Sequence, residues 1–160
     1  MKKILIVSDT HGRNRSYLEL VERLKPLDLV IHCGDVEGSE YLIGEAAECP
    51  AAIVSGNNDF FAQLPRELVV PIGPYKAWVT HGHMYGVTMD DRNLSREAAA
   101  RGMDIVIYGH THRPVVKKEN DILVINPGSL TYPRQRERKP SYILMELDDN
   151  QELQCRIHYL

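Results

Sequence analysis

A chain of 160 residues, 43% hydrophobic and 26% charged, has the size and composition of one globular domain with its own core. A formal net charge of −3 excludes a global basic field that would recruit nucleic acid. The three scattered cysteines, Cys33, Cys49 and Cys155, form no Cys-x-x-Cys pair and read as reduced thiols of a cytoplasmic protein. The start, Met1-Lys2-Lys3, leads into an apolar run too short for a signal peptide, and no run is long enough to span a membrane.

The first element is a short apolar run, Ile4-Leu5-Ile6-Val7, which predicts a strand buried on both faces. It ends in Ser8-Asp9-Thr10-His11-Gly12. Asp9 and His11 lie two residues apart, so in an extended chain both would point the same way and could reach one divalent cation. Residues 14–24 carry Tyr17, Leu18, Leu20, Val21 and Leu24 at helical spacing, and Pro26 closes that helix. Leu29-Val30-Ile31 predicts a second buried strand, ending in His32-Cys33-Gly34-Asp35. A helix follows over Ser39 to Glu48, with Ser39 placed to cap it. Ala51 to Val54 is a third strand, ending in Ser55-Gly56-Asn57-Asn58-Asp59. Strand, polar end and helix repeat here, which implies parallel pairing with helices outside.

The pattern then changes. Glu67 to Ile72 and Tyr75 to Val79 predict a hairpin turning at Gly73-Pro74, and the second strand ends in Thr80-His81-Gly82-His83. Its apolar stretch from Leu68 to Trp78 is a candidate homo-oligomer interface. Arg92 to Arg101 is a helix stopped by Gly102. Ile105 to Tyr108 is a strand ending in Gly109-His110-Thr111-His112. Strands over Pro114 to Lys118, Ile122 to Ile125 and Tyr142 to Leu147 follow, and Gln154 to Tyr159 is expected at a sheet edge.

Five strand ends thus carry Asp9 and His11, Asp35, Asn57, His81 and His83, and His110 and His112. In open α/β sheets, sites form at the carboxyl ends of strands. Brought together, these residues supply two carboxylates, an amide oxygen and at least four imidazoles, enough for two metal ions, with Asp35 the natural bridge. Two divalent cations bring four positive charges. Asp9, Asp35 and a bridging hydroxide return three, leaving a net positive site suited to an anionic phosphate ester. The expected reaction is in-line attack of that hydroxide on phosphorus. Mixed nitrogen and oxygen ligands point to manganese first, or to nickel, iron or zinc, over copper(I).

Asp9-x-His11, Gly34-Asp35, Gly56-Asn57-x-Asp59, His81-Gly82-His83 and Gly109-His110-x-His112 resemble the signature of the calcineurin-like metallophosphoesterases, complete and in order. The size and the Ile125-Asn126-Pro127-Gly128-Ser129 segment are most similar to the compact bacterial and archaeal phosphodiesterases, with the retromer subunit a relative of similar fold. The resemblance implies one metallophosphoesterase domain over residues 1–160, an α-β-β-α sandwich of two mixed sheets. It implies one metal on Asp9, His11, Asp35 and His112 and another on Asp35, Asn57, His81 and His110. The substrate is expected to be a small phosphodiester. A phosphomonoesterase is the enzymatic alternative, and a non-catalytic protein-binding scaffold the other. Where many members carry a histidine to protonate the leaving group, this chain has Asn58, which cannot deliver a proton. That predicts a preference for activated esters unless His83 or a metal-bound water acts as acid.

Other residues read more plainly. His32 and His158 are expected to be ordinary core or surface side chains. Asp59 is read equally as a turn residue and as support for the site. Arg13 and Arg113 directly follow ligand motifs and could steer phosphate, although solvated surface arginines are the commoner case, and Arg134 to Lys139 reads as a mobile solvated loop rather than a grip on nucleic acid.

Overall fold

The chain, described over residues 1–160 by a computed structural model, places its strands by the alternation of their side chains. In β1 (Lys2–Val7), Ile4 and Ile6 join one apolar cluster while Leu5 and Val7 join another. β2 (Leu29–His32) divides likewise, Ile31 with the first cluster and Val30 with the second. A sheet apolar on both faces needs a cover on each. On one face the cover is α1 (Arg15–Leu24), through Tyr17, Leu20 and Val21, and α2 (Glu40–Ala47), through Ile43 and Ala47.

On the other face the cover is a second sheet. Val79 of β5 (Tyr75–Thr80), Ile107 of β6 (Ile105–Ile107) and Ile125 of β8 (Ile122–Asn126) meet Ile4, Ile6 and Ile31. The alternate residues of those strands, Trp78, Val106 and Val124, pack outward with Leu94 and Ala98 of α3 (Arg92–Ala100). The architecture is four layers, α-β-β-α, as the family resemblance implies.

The first sheet has the order β10-β9-β1-β2-β3, with β3 at Ala51–Ile53, β9 at Ser141–Leu147 and β10 at Leu153–Tyr159. The second has the order β4-β5-β6-β8-β7, with β4 at Glu67–Ile72 and β7 at Val115–Glu119. β1, β2 and β3 are parallel, as are β5, β6 and β8, and antiparallel strands complete both sheets. β10 is the expected edge strand. Within the second sheet the Gly109 N–H donates to the His81 carbonyl at 3.1 Å, and carboxyl ends from the two sheets meet where the His110 N–H donates to Asp9 Oδ2 at 3.0 Å.

The structure departs from the sequence reading in detail. Ser39 occupies the cap position of α2 but does not cap it. Its hydroxyl instead accepts from Asn14 Nδ2 at 2.8 Å and ties the starts of α1 and α2 together. A short 3-10 turn, His83–Tyr85, follows β5 between Gly82 and Gly86, whose positive φ angles of 100° and 69° isolate it from any longer periodic segment. In the hairpin, Ile72 and Trp78 are buried within the chain, while Val69 is 57% exposed. No helix is long and apolar enough to cross a membrane.

His32 lies outside the cluster of candidate ligands, as expected. It is fully buried at the end of β2, where its Nδ1 accepts the Gly34 N–H at 3.1 Å. Its Nε2–H then donates to Thr10 Oγ1 at 3.0 Å. Burial holds this ring neutral and lowers its pKa from 6.5 to about 4. The unfolded chain takes up that proton near 6.5 and the folded chain only near 4, so the contribution is fully present above 6.5 and lost as the pH falls towards 4. Urea unfolding of metal-stripped protein should therefore show wild type losing on the order of 3 kcal/mol more than His32→Asn between pH 7 and pH 4.

Candidate metal centre

Five of the seven candidate ligands sit on an unusual backbone. Asp9, His11, Asp35, His110 and His112 all have φ between 51° and 69°, the left-handed region that side chains avoid. Each such residue costs roughly 1–3 kcal/mol. Residues 9 and 11 are therefore not extended, and their convergence comes from two consecutive reversals at the end of β1 rather than from strand alternation. Backbone bonds hold the reversals: Asp9 N–H donates to the Gly34 carbonyl at 3.0 Å and His11 N–H to the Asp35 carbonyl at 2.9 Å.

Glycines make the close approach possible. A Cβ at Gly34 would stand 2.7 Å from His81 Nδ1, and one at Gly56 would overlap the Asp35 carboxylate. Asp59 acts as a clamp: Oδ2 accepts the N–H groups of Asp35 and Gly56 at 2.8 and 2.7 Å, and Oδ1 that of Glu37 at 2.8 Å. This joins the loop after β2 to the loop after β3. Beneath them, Ser129 Oγ donates to the Asp9 carbonyl at 2.8 Å, and Asn126 Nδ2 to the Gly109 carbonyl at 3.1 Å. The Asn126 to Ser129 segment thus props both halves of the site through its side chains.

The tautomers of three imidazoles follow from acceptor-only partners. His81 Nδ1 lies 2.7 Å from the Cys33 carbonyl, His112 Nδ1 2.6 Å from the Tyr132 carbonyl, and His11 Nδ1 3.1 Å from Glu37 Oε1. Carbonyls and carboxylates only accept, so in each neutral ring Nδ1 carries the hydrogen and Nε2 a lone pair. Those lone pairs face oxygen atoms. His112 Nε2 is 3.2 Å from Asp9 Oδ1, His81 Nε2 is 3.4 Å from Asp35 Oδ2, and His11 Nε2 is 3.8 Å from both. Asn57 Oδ1 sits 3.0 Å from His81 Nε2 and 3.2 Å from His110 Nδ1. Asp9 Oδ1 is buried without a hydrogen-bond partner.

Acceptors facing acceptors in a buried site fit positive charge between them. Two trios meet the spacing of a metal site, Asp9 with His11 and His112, and Asp9 with Asp35 and His81. With no cation bound, a proton on Nε2 can take its place. Burial alone would raise the Asp9 and Asp35 pKa values, but the neighbouring imidazoles in their protonated form, chiefly His112 and His81, outweigh it and hold both carboxyls low. Burial would lower the His81 pKa, yet Asp35 and the charge of Asp9 raise it, so the carboxylates favour positive charge at this position.

All seven residues expected as ligands, Asp9, His11, Asp35, Asn57, His81, His110 and His112, lie in this cluster. His83 is exposed beside it, its ring 5.4 Å from that of His81 and 6.1 Å from that of His110, with no hydrogen bond. Asn58 uses its N–H and its amide Nδ2 on the Asp35 carboxylate, at 2.9 and 3.1 Å. His158 lies elsewhere, stacked on Tyr142. Sequence reasoning missed Glu37 and the Cys33 and Tyr132 carbonyls, whose roles carry no residue-type signal.

The arginines are exposed, as read from the sequence, and three of them gather beside the centre. A cleft of about 780 Å³ opens beside His11 and His112, lined by Arg113, Arg134 and Arg138 with Glu37, Tyr132 and Pro133. The loop from 134 to 139 is exposed but docked at its start, where the Arg134 N–H donates to the His112 carbonyl at 3.2 Å. Arg13 is exposed too, with its guanidinium over the Tyr132 ring at 5.4 Å from the centroid.

Comparison with known proteins agrees with this geometry. Residues 1–150 match the calcineurin-like phosphoesterase superfamily domain. The chain belongs to that superfamily. A probable metallophosphoesterase of Bacillus subtilis, YsnB, is 36% identical over 92% of this chain and 85% of its own length. The phosphodiesterase MJ0936 of Methanocaldococcus jannaschii is 34% identical over 79% and 82%. Vps29 of Entamoeba histolytica, solved in complex with Zn²⁺, is similar in structure with a TM-score of 0.78 and 25% identity, covering 98% of each chain. Metal dependence is a property of the superfamily.

Glu37 fixes His11, so Glu37→Ala should lower Mn²⁺ affinity roughly 10–100-fold while the circular dichroism spectrum is retained. Isothermal titration calorimetry on the stripped variant and wild type checks this.

Proposed function

We propose that this member of the superfamily is a phosphodiesterase using two divalent cations, manganese first among the candidates, to cleave a small phosphodiester. Asp9, His11, Asp35 and His112 would hold one ion. Asp35, Asn57, His81 and His110 would hold the other. The observation that carries this reading is the set of Nε2 lone pairs on His11, His81 and His112 converging on the carboxylates of Asp9 and Asp35. Asp35 takes the bridging position in this reading from the family resemblance: its Oδ2 lies 3.8 Å from His11 Nε2 and 3.4 Å from His81 Nε2, one imidazole from each half, while Asp9 Oδ1, at 3.8 Å from both and common to the two trios, spans the halves as well.

Such ions, when bound, supply a hydroxide at neutral pH for in-line attack and positive charge for the phosphoryl oxygens. The chain's own part is positioning. Glu37, Cys33 and Tyr132 orient the imidazoles, and Asp59 and Asn58 hold Asp35. The site's small surplus of charge matches a singly charged diester more closely than a dianionic monoester, and MJ0936 bears the name phosphodiesterase. A scaffold without turnover has no need of seven converging ligands. Free Cys33, Cys49 and Cys155 suit a reducing, cytoplasmic setting.

With Asn58 committed to Asp35, no side chain on that side delivers a proton to a leaving group. Good leaving groups are therefore favoured.

Metal-reconstituted protein should hydrolyse bis(p-nitrophenyl) phosphate faster than p-nitrophenyl phosphate, and chelation should remove both activities. Asp35→Ala should fall to background and lose metal by elemental analysis. If Asp35→Ala keeps both metal and activity, Asp35 is not the bridge. Asn58→His should raise kcat for poor leaving groups by on the order of tenfold or more and flatten the dependence of rate on leaving-group pKa. An unchanged slope across a series of aryl diesters would remove the role given to this position.

A further inference from the structure

The arginine cleft is unexplained by a reaction that needs only one phosphate. A diester's own charge is met at the centre. Yet Arg113, Arg134 and Arg138 line a cleft that shares His11 and His112 with that centre. None of the three guanidinium groups makes an ion pair or a hydrogen bond within the chain, whereas Arg15, Arg92 and Arg101 are all paired with carboxylates. The only acid lining the cleft, Glu37, is engaged by His11. The chain as a whole carries −3, so this local excess of positive charge is not an overflow of a basic protein.

The cleft is also fixed to the centre. His112 Nδ1–H donates to the Tyr132 carbonyl at 2.6 Å, and the Arg134 N–H donates back to the His112 carbonyl at 3.2 Å. The segment that carries Arg134 is thus registered on a candidate metal ligand. Tyr132 and Pro133 supply a less polar wall between the centre and the guanidiniums.

We infer that the substrate carries a second phosphate on one arm, and that Arg113, Arg134 and Arg138 bind it while the centre cleaves the diester. This rests on the phosphodiesterase reading above and names its substrate class. Guanidinium groups suit such a group because their planar forks bind phosphate oxygens in pairs. The occupant is a small bisphosphate-type diester, for example a nucleoside arm with phosphates at both ends. Water adds to the diester phosphorus, the P–O bond to the other arm breaks, and the proton from water ends on the departing oxygen. The distal phosphate is unchanged.

A matched pair of substrates tests this. Thymidine 5′-(p-nitrophenyl phosphate) and its 3′-phosphorylated form share a leaving group and differ only in the distal phosphate. Wild type should show kcat/KM higher for the 3′-phosphorylated form by about tenfold or more, with the advantage shrinking as salt rises. Arg134→Ala/Arg138→Ala should bring the ratio towards one, and Arg134→Glu should lower it further, while Arg156→Ala on β10 serves as a control with the wild-type ratio. Calorimetric binding of thymidine 3′,5′-bisphosphate should weaken in the double variant to the same degree.

A wild-type ratio near one with active enzyme overturns the inference and leaves the phosphodiesterase reading intact. A ratio unmoved by the double variant does the same. If neither ester turns over, the phosphodiesterase reading fails, and the bisphosphate titration still decides the cleft. Binding lost in Arg134→Ala/Arg138→Ala upholds the cleft as a phosphate site. No binding, or binding equal in both proteins, refutes it.

Discussion

Lone pairs that face one another in a dry site repel, and the centre of this protein is built from such contacts. Carbonyls and a carboxylate behind His11, His81 and His112 fix each ring with its bare nitrogen turned towards Asp9 or Asp35. The oxygen of Asp9 that meets them has no donor to satisfy it. Only positive charge reconciles these groups, and everything around them serves to keep them from turning away.

Holding that arrangement is costly, and the rest of the fold offsets the cost. Five residues of the cluster sit in the left-handed region at roughly 1–3 kcal/mol each. Against this stand three apolar clusters that bury Ile, Leu and Val side chains on both faces of both sheets. Full burial of each such side chain contributes about 1.5–3 kcal/mol. The strands end rigidly, and Asp59, Ser129 and Asn126 then brace the loops that leave them. Gly34 and Gly56 lie where any side chain would collide with the ligands.

The strands were legible because their apolar runs are short and bounded by polar, glycine-containing ends. The residues of the centre were legible because aspartate, asparagine and histidine recur at those ends. The facing of two sheets followed only from the family resemblance, since Ile4-Leu5-Ile6-Val7 reads the same whether a helix or a second sheet covers it. Asp9 and His11 converge, but not by strand alternation, because residue order does not disclose a reversal of φ. Partners acting through backbone atoms, such as the Cys33 and Tyr132 carbonyls, leave no mark in the sequence. The loop from 134 to 139 read as free solvent-facing chain because its attachment is one backbone N–H.

The centre is divided between the two sheets, with Asp9, His11, Asp35 and Asn57 on loops of one and His81, His110 and His112 on loops of the other. His11 and His112 lie 101 residues apart in the chain. A cation shared across that span would close a very long loop, much as a covalent cross-link does, and long closures restrict the unfolded chain most. The ions would then be fasteners as well as reagents. A cell short of metal would hold fewer intact copies of the protein as well as slower ones.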